Sequence, residues 1–307
     1  MMPVVDPRAV AALAVLLVLA PALPGVAVKT KSWLTGRRGA PVLQLYADLA
    51  KLVRKGSVYS TTSTWVFRAG PVVTLAALVA AALFLPLDGR QAPAHFAGDL
   101  VAFAALLALA RFALVLAGLD TGSSFEGMGA SREVTFASFA EPTLFLCFIA
   151  LVLATGHLSM SGMFGAPVAA AWAGAAAPLS LVAIALFVLL LAENSRVPVD
   201  DPATHLELTM IHEVIVLDHS GPDLALILYG SALKLAIFAA LIVGLAVPRA
   251  TRSLPEALLL LAAGLVAVAV AVGVVESVMA RLRLTRVPQL LVGAGALALF
   301  GIILLLR

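Results

Sequence analysis

The sequence predicts an all-α, polytopic integral membrane protein, and three observations carry this prediction. Hydrophobic residues make up 62% of the 307 residues and charged residues only 12%, whereas a soluble domain is about half apolar and about a quarter charged. The mean hydropathy is +1.08, and the apolar residues fall into long runs. These runs lack the alternation of transmembrane β-strands, so closed helices are expected. The composition excludes a water-soluble globular enzyme, a disordered chain and a disulfide scaffold.

Eight apolar runs are candidate transmembrane helices, each of which needs about 20 residues to cross the bilayer core. They are Ala9–Val28, Ala69–Leu87, Phe96–Leu119, Pro142–Gly156, Ala177–Ala192, Leu224–Val247, Pro255–Val275 and Pro288–Leu306. The fourth and fifth runs are short, and their borders are set only to within several residues. We interpret the first run as an uncleaved helix rather than a signal peptide, because it is long and seven more runs follow. The whole chain, 1–307, is expected to form one membrane domain.

The distribution of lysine and arginine predicts the orientation. Connections after odd-numbered runs hold 13 of the 20 basic residues, and the even-numbered connections and the termini hold five. By the positive-inside rule, the odd-numbered connections face the cytoplasm and both termini lie outside the inner membrane. The basic residues are too scattered to indicate nucleic-acid binding.

The first cytoplasmic connection contains an amphipathic segment, residues 41–55, in which apolar side chains recur at helical spacing. Lys51, Arg54 and Lys55 cluster at its end. The pattern predicts a helix at the membrane surface. The alternative is a docking edge for a partner or an entrance to a cavity.

A second cytoplasmic segment, Glu193–Asp223, is strongly acidic. It holds seven of the 17 acidic residues, with one arginine and no lysine. Two prolines interrupt it, and a helical pattern then resumes over Thr204–Leu217. A helix with one apolar and one acidic face needs a cavity to cover or a protein to dock on. A solvated acidic loop is the alternative.

Four charged residues lie within or beside the apolar runs: Arg111, Lys234, Glu141 and Glu276. A charge at the membrane centre costs about 2.5–3.5 kcal/mol on the insertion scale, so these side chains should face the bundle interior and pair. They form either structural ion pairs or a proton or charge relay. We hypothesise that Lys234 is coupled to Glu141 or Glu193.

The sequence contains no redox centre of its own. Glycine-rich dinucleotide and phosphate loops are absent, and His212-Glu213 fails the zinc motif because Val216 stands where the second histidine is required. The single cysteine, Cys147, lies in an apolar run and cannot hold a cluster. We therefore expect no cofactor and no metal in this chain.

Several motifs resemble one family of membrane subunits. The run ENSRVPVD at 193–200, followed by Pro202, resembles the signature of the NuoH/ND1 membrane subunit of respiratory complex I. DHSG at 218–221 resembles that family's EYSG motif, and DDPATHLELTMIHE at 200–213 is more similar to a sister branch. That branch is the NuoH-like membrane subunit of group 4 Ni–Fe hydrogenases, as in formate hydrogenlyase subunit 4 and the hydrogenase-4 membrane component. Segments 44–58, 127–142 and 276–291 fit the same branch.

The resemblance implies a non-catalytic membrane anchor and coupling subunit. In such complexes a peripheral arm, made of the hydrogenase large and small subunits and iron–sulfur subunits, carries the iron–sulfur clusters and the Ni–Fe centre. Antiporter-like membrane subunits that translocate protons or sodium ions lie alongside in the lipid bilayer. The coupling candidates combine the intramembrane charges with residues of the acidic segment. They are Glu141, Glu193, Arg196, Asp200, Asp201, Glu207, Glu213, Asp218, Lys234, Glu276 and Arg111. The docking candidates are Lys51, Arg54, Lys55, Arg132, Glu133, His205 and His212.

Two alternatives remain open. The first is a quinone-chamber subunit of an NADH:quinone oxidoreductase, although Thr204-His205-Leu206 and His219 depart from the complex I pattern and favour the hydrogenase branch. The second is a stand-alone secondary ion transporter, because intramembrane charges also mark transporters. The absence of a visible inverted repeat argues against a transporter.

Overall fold

The structure, a computed structural model, describes residues 6–200 and 210–307, and every regular element in these ranges is helical. The helices are α1 (Pro7–Leu19), α2 (Ala22–Leu34), α3 (Gln44–Val53), α4 (Trp65–Ala82), α5 (Asp99–Asp120), α6 (Ser124–Thr155), α7 (Met160–Phe164), α8 (Ala166–Glu193), α9 (His212–Ile215), α10 (Gly221–Ala246), α11 (Leu254–Val278) and α12 (Val287–Leu305). A 3₁₀ turn, Leu284–Arg286, leads into α12.

The spans confirm the prediction of an all-α polytopic membrane protein. Within the described ranges, seven helices are long and apolar enough to cross a membrane alone. The helices α1 and α2 are bent by 48° at a short break and together are long and apolar enough to count as one more span, which gives up to eight. The break falls at Ala20-Pro21, where proline limits continuation of the helix.

The predicted borders of the fourth and fifth spans are wrong. Helix α6 runs for 32 residues with Pro142 inside it, and α8 runs for 28 residues with Pro178 inside it. The predicted outer connection, residues 156–176, is therefore largely helical. Prolines are tolerated within membrane helices because neighbouring groups satisfy the freed backbone carbonyls. In α8 the helix is kinked three residues before Pro178, at Ala175, whose φ of −128° and ψ of 33° are not helical.

Surface helix α3 has the predicted helical character and packs against α2 and α10. The Tyr46 hydroxyl donates a hydrogen bond to the Val18 carbonyl, which ties α3 to the break between α1 and α2. The Lys51 side chain remains 70% exposed at the end of α3. The basic cluster of this helix therefore faces away from the bundle.

The bundle has two distinct ends. One end, which we call the charged end, contains α3, α9, the start of α10 and the end of α11. The connections between α4 and α5 and between α10 and α11 lie at the other, which we call the opposite end. The Arg90 Nε atom joins these two connections by donating to the Ala250 carbonyl at 3.0 Å.

Close helix packing depends on small residues, and Gly273 is the clearest case. A Cβ atom placed on Gly273 of α11 would lie 2.5 Å from the Ala27 carbonyl oxygen of α2. Since this neighbour is backbone, the two helices would have to separate. We expect Gly273→Ala to lower the free energy of unfolding in detergent by about 1–3 kcal/mol, as overpacking does.

Gly293→Ala is the matched control for Gly273→Ala. A Cβ atom on Gly293 of α12 would meet nothing within 4 Å. The control should be neutral or slightly stabilising, because alanine favours the helix. Equal unfolding midpoints for the two variants would contradict the close α2–α11 contact.

Candidate charge-relay site

Arg111 is the centre of a buried ion network. It lies in the middle of α5, and its side chain is 9% exposed. The Nη2 atom donates to both carboxylate oxygens of Glu193, at 2.6 and 2.7 Å. The Nη1 atom donates to Glu141 Oε1, and the Nε atom lies 3.5 Å from Glu133 Oε1. One guanidinium thus contacts three carboxylates, and its planar fork allows this.

Lys234 completes the network from the other side of Glu193. Its Nζ atom lies 2.7 Å from Glu193 Oε2, and the Glu193 side chain is only 8% exposed. Glu193 is therefore shared between two cations, one from α5 and one from α10. Among the ion pairs of the described residues, Lys234 contacts Glu193 directly and is joined to Glu141 through Arg111, so Glu193 is the direct partner of the two predicted.

Among the described residues, the network contains three carboxylates, Glu133, Glu141 and Glu193, and two cations, Arg111 and Lys234. Three negative charges against two positive charges leave one negative charge in excess when all five groups are ionised. A buried network with an excess charge holds that charge only with a further cation, water or a proton. This imbalance distinguishes the network from a neutral structural ion pair.

The backbone after Glu193 is irregular yet internally satisfied. Glu193 is the last residue of α8, and Ser195 adopts a left-handed φ of 48°. The Asn194 Nδ2 atom donates to the Leu190 carbonyl at 2.8 Å, and the Arg196 amide donates to the Leu191 carbonyl at 2.9 Å. Non-helical backbone at membrane depth is tolerated where it is buried in protein or lines a water-filled cavity.

A small cavity lined by both apolar and polar residues adjoins the network. Its volume is about 30 Å³, which is room for about two water molecules at roughly 10–15 Å³ each. The ionisable and polar residues that line it include Arg111, Glu133, Glu193, Asn194, His212 and Lys234. Within the described chain, Asn194 Oδ1 is buried without a hydrogen-bond partner, so the lining suits an ordered water. Water in this cavity would connect His212 to the network.

His212 contributes a titratable group from α9, outside the spans. Desolvation of the imidazole lowers its pKa below the ordinary value, and Lys234 adds to this effect, whereas Glu133 and Asp200 oppose it. The neutral form therefore dominates near pH 7. A neutral imidazole has one donor and one acceptor nitrogen and can pass a proton to or from cavity water.

The lowered pKa of His212 predicts a pH dependence of stability. The unfolded chain binds a proton at about pH 6.5, whereas the folded chain binds it only at lower pH. Stability is therefore full above about pH 6.5 and falls as the pH drops from there towards the folded pKa.

His212→Gln should lose less stability than the wild type between pH 7.5 and about pH 5.5, measured by thermal unfolding at both values. His157→Gln, at an exposed histidine on the opposite end, is the control; equal acid destabilisation of His212→Gln and the wild type would contradict the assignment.

A second set of ion pairs links the irregular segment to α11 at the charged end. Arg196 Nη1 donates to Glu276 Oε1 at 3.4 Å. Glu276 Oε2 lies 4.0 Å from Lys31 Nζ of α2. Arg281 Nη2 lies 2.8 Å from Asp200 Oδ1, while Asp200 Oδ2 accepts a hydrogen bond from the Ile211 amide at 2.8 Å. These contacts place a second group of ion pairs at the charged end.

Two docking candidates lie elsewhere than predicted. Arg132 and Glu133 were expected in a cytoplasmic loop, but both lie in α6 because that helix begins at Ser124. Arg132 Nη1 donates to the Met210 carbonyl at 2.7 Å and so fixes the described end of the acidic segment. Glu133 belongs to the Arg111 network. Sequence reasoning missed this because it placed the border of the helix at Pro142.

The predicted helix over Thr204–Leu217 lies partly outside the described residues, and its described part differs from the prediction. Asp201, His205 and Glu207 lie outside the described residues. From Met210 onward the helical part is the four-residue α9. Ile211, Val214 and Ile215 are buried, so the apolar face turns into the bundle.

Glu126 is a site residue that sequence reasoning did not single out. It lies in the first turn of α6, is 0% exposed, and accepts a hydrogen bond at Oε1 from the Asp218 amide at 3.1 Å. Asp218 itself is exposed beside it, and Glu213 lies in α9. The run of small and polar residues before α6 gave no signal that this carboxylate is buried.

The opposite end holds a separate buried charge group. Arg249 is 2% exposed and Asp88 is 1% exposed, and Arg8 Nε lies 4.0 Å from Asp88 Oδ2. Burial lowers the pKa of Arg249 to about 10, and Asp88 opposes that change. From the sequence, all three residues resemble ordinary loop or terminal charges.

The bundle and its ion pairs define a polytopic membrane protein with a buried ion network in its interior and further ion pairs at its charged end. The chain belongs to the NADH dehydrogenase family, whose model matches residues 8–306. This confirms the NuoH-type membership indicated by the motifs at 193–200 and 218–221.

Individual relatives lie in several complexes. The chain is 35% identical over 242 residues to hydrogenase-4 component C of Escherichia coli (strain K12), covering 78% of this chain and 75% of that protein. It is 32% identical over 283 residues to formate hydrogenlyase subunit 4 of the same organism, covering 90% and 91%. It is 29% identical over 206 residues to the NuoH-type subunit of the NADH-quinone oxidoreductase of Rubrobacter xylanophilus, covering 67% and 61%.

A solved structure shows the same fold. A chain of the membrane-bound sulfane sulfur reductase, an archaeal respiratory membrane complex, superposes with a TM-score of 0.84 over 98% of this chain and 99% of its own length. The sequence identity is 20%, so this likeness concerns the fold alone.

Proposed function

We propose that this chain is the membrane anchor and coupling subunit of a complex I-like hydrogenase complex, docking a peripheral Ni–Fe hydrogenase arm and linking its electron transfer to proton or sodium translocation. The observation that carries the proposal is the buried network around Arg111, with its excess negative charge among the described residues, and a second group of ion pairs at the charged end supports it. The matches to hydrogenase-4 component C and formate hydrogenlyase subunit 4 exceed the NADH-quinone oxidoreductase match in identity and coverage, and they support the hydrogenase branch.

The proposed partners follow from the same branch. Hydrogenase large and small subunits and iron–sulfur subunits form the peripheral arm, and antiporter-like subunits lie beside the chain in the bilayer. The iron–sulfur clusters and the Ni–Fe centre are proposed in those partners, with none in this chain. The proposed location is the inner membrane, with the charged end and odd-numbered connections in the cytoplasm and both termini outside.

The arrangement suggests how coupling works. A change of charge in the arm alters the field at the Asp200–Arg281 pair and at His212, which both lie at the charged end. Lys234 and Arg111 both bind the Glu193 carboxylate. A small displacement of either cation therefore changes which carboxylate of the network is left without a full positive counter-charge. Interactions between charges in a low-dielectric interior are strong enough to transmit such a change.

Lys234→Met in the complete complex tests the coupling. The substitution keeps the length of the side chain and removes one cation from Glu193. We expect hydrogen formation to continue while the ions translocated per electron in proteoliposomes fall by about tenfold or more, because Glu193 loses one of its two cations.

Lys29→Met is the matched control for the coupling test, because Lys29 is an exposed lysine of α2 whose ammonium group donates to the Arg38 carbonyl rather than to the network. It should translocate ions like the wild type. Full ion translocation by an assembled Lys234→Met complex would overturn the coupling role of the network.

A further inference from the structure

The Arg111 network opens sideways, into the part of the bundle that faces the lipid. A groove between α5 and α6 has a volume of about 510 Å³ and is lined by both Arg111 and Glu141. A smaller recess of about 140 Å³ beside it shares the same two residues. The remaining lining is apolar apart from Ser138 and Glu193 and contains several alanines. The groove therefore exposes the ends of an ion network within a membrane span.

Glu141 is the network carboxylate that faces this groove. Its side chain is 46% exposed, whereas those of Glu133 and Glu193 are 15% and 8% exposed. Within the described chain its ion-pair partner is Arg111, which binds one of its two oxygens. Glu141 is therefore the carboxylate at which the excess negative charge of the network is accessible from outside the bundle.

The surroundings of Glu141 fit a protein helix better than lipid tails. Lipid tails have no donor for the free carboxylate oxygen, so the group would stay unsatisfied in hydrocarbon. Ala105, Ala108 and Ala137 line the groove, and small side chains at such spacing allow a second helix to approach closely. Phe112 and Val134 are 59% and 53% exposed along the same groove and offer apolar contact area.

We propose that a transmembrane helix of another membrane subunit docks in the α5–α6 groove and places a lysine or arginine side chain against Glu141. The cation follows from the charge balance, because one positive charge neutralises the network. Small residues on the docking helix follow from the alanine-lined floor. This inference rests on the proposed function only in that it requires a multi-subunit membrane complex.

Site-specific photo-cross-linking in the complete complex tests the docking. A photoreactive amino acid at Ala105, which is exposed at the groove, should cross-link to a transmembrane segment that has a lysine or arginine within one helical turn of the cross-linked residue. The same probe at Leu259 of α11, which is 70% exposed outside the groove, should not reach that segment. Cross-links to lipid alone, or to a segment without a cation, would overturn the proposal.

A charge-exchange experiment provides an independent measurement. Glu141→Gln keeps a hydrogen-bond acceptor for Arg111 but removes the charge, and it should weaken retention of the cross-linked subunit during purification in detergent. Glu141→Lys should weaken retention further, and exchanging the partner's cation for glutamate should restore it. Unchanged retention in all three complexes would overturn the pairing. Such a failure leaves the coupling proposal standing, because that proposal is tested by ion translocation in Lys234→Met.

Discussion

Arg111→Met should lower the free energy of unfolding by about 3–5 kcal/mol, the cost of removing one partner from a buried ion pair. The guanidinium is the only contact that joins Glu133, Glu141 and Glu193 among the ion pairs of the described residues. Without it these carboxylates face one another with Lys234 as their single cation. The loss is measured by denaturant unfolding of the purified chain in detergent.

Arg37→Met is the control for this measurement, since Arg37 is exposed after α2. A surface substitution of this kind should change stability by less than about 0.5 kcal/mol. Adding Glu193→Gln to Arg111→Met should restore part of the loss, because one unpaired charge is removed. A loss of under about 1 kcal/mol for Arg111→Met would mean that the network is solvated rather than buried.

Asp88→Asn, at the opposite end, should lower the free energy of unfolding by about 3 kcal/mol. The Arg90 amide donates to Asp88 Oδ1 at 3.0 Å, and asparagine keeps an oxygen for this hydrogen bond. The loss of stability therefore measures the contribution of the negative charge. Arg249 and Arg8 then lose their neighbouring carboxylate, and Arg249 is 2% exposed.

The same unfolding assay measures the Asp88 effect. Asp48→Asn on α3 is its control, because the Asp48 side chain is 40% exposed. Equal stability of Asp88→Asn and the wild type would show that Arg249 does not depend on this carboxylate.

The existence of the spans could be predicted from the sequence because hydropathy reports directly on burial in lipid. The same holds for α3, whose apolar spacing at 41–55 matches the helix observed at Gln44–Val53. The borders at Pro142 and Pro178 were not predictable in this way. Proline marks a helix end in water, whereas in these spans the helices continue through it.

The membership of the ion network was only partly predictable. A charge within an apolar run signals that a partner exists, which led to Arg111, Lys234 and Glu141. Which carboxylate meets which cation depends on how α5, α6, α8 and α10 cross, and hydropathy contains no information on crossing. Glu133 was assigned to docking rather than to the network, and Glu126 was not singled out, because both precede Pro142 in a stretch that resembled a loop.

The central claim, that a peripheral partner covers the charged end of this chain, is tested most directly by cysteine labelling. The single native cysteine, Cys147, is buried, so the wild type gives no background. Single cysteines at Lys51, 70% exposed, and Leu217, 51% exposed, report on the charged end, and a cysteine at exposed Thr251 reports on the opposite end. A membrane-impermeant maleimide is added to the intact complex and again after the peripheral subunits are stripped.

We expect Lys51→Cys and Leu217→Cys to be protected in the intact complex and to become reactive after stripping, while Thr251→Cys reacts equally in both states. Equal labelling of the charged end before and after stripping would contradict the docking of a peripheral arm, since that end would then be open to solvent in the assembled complex.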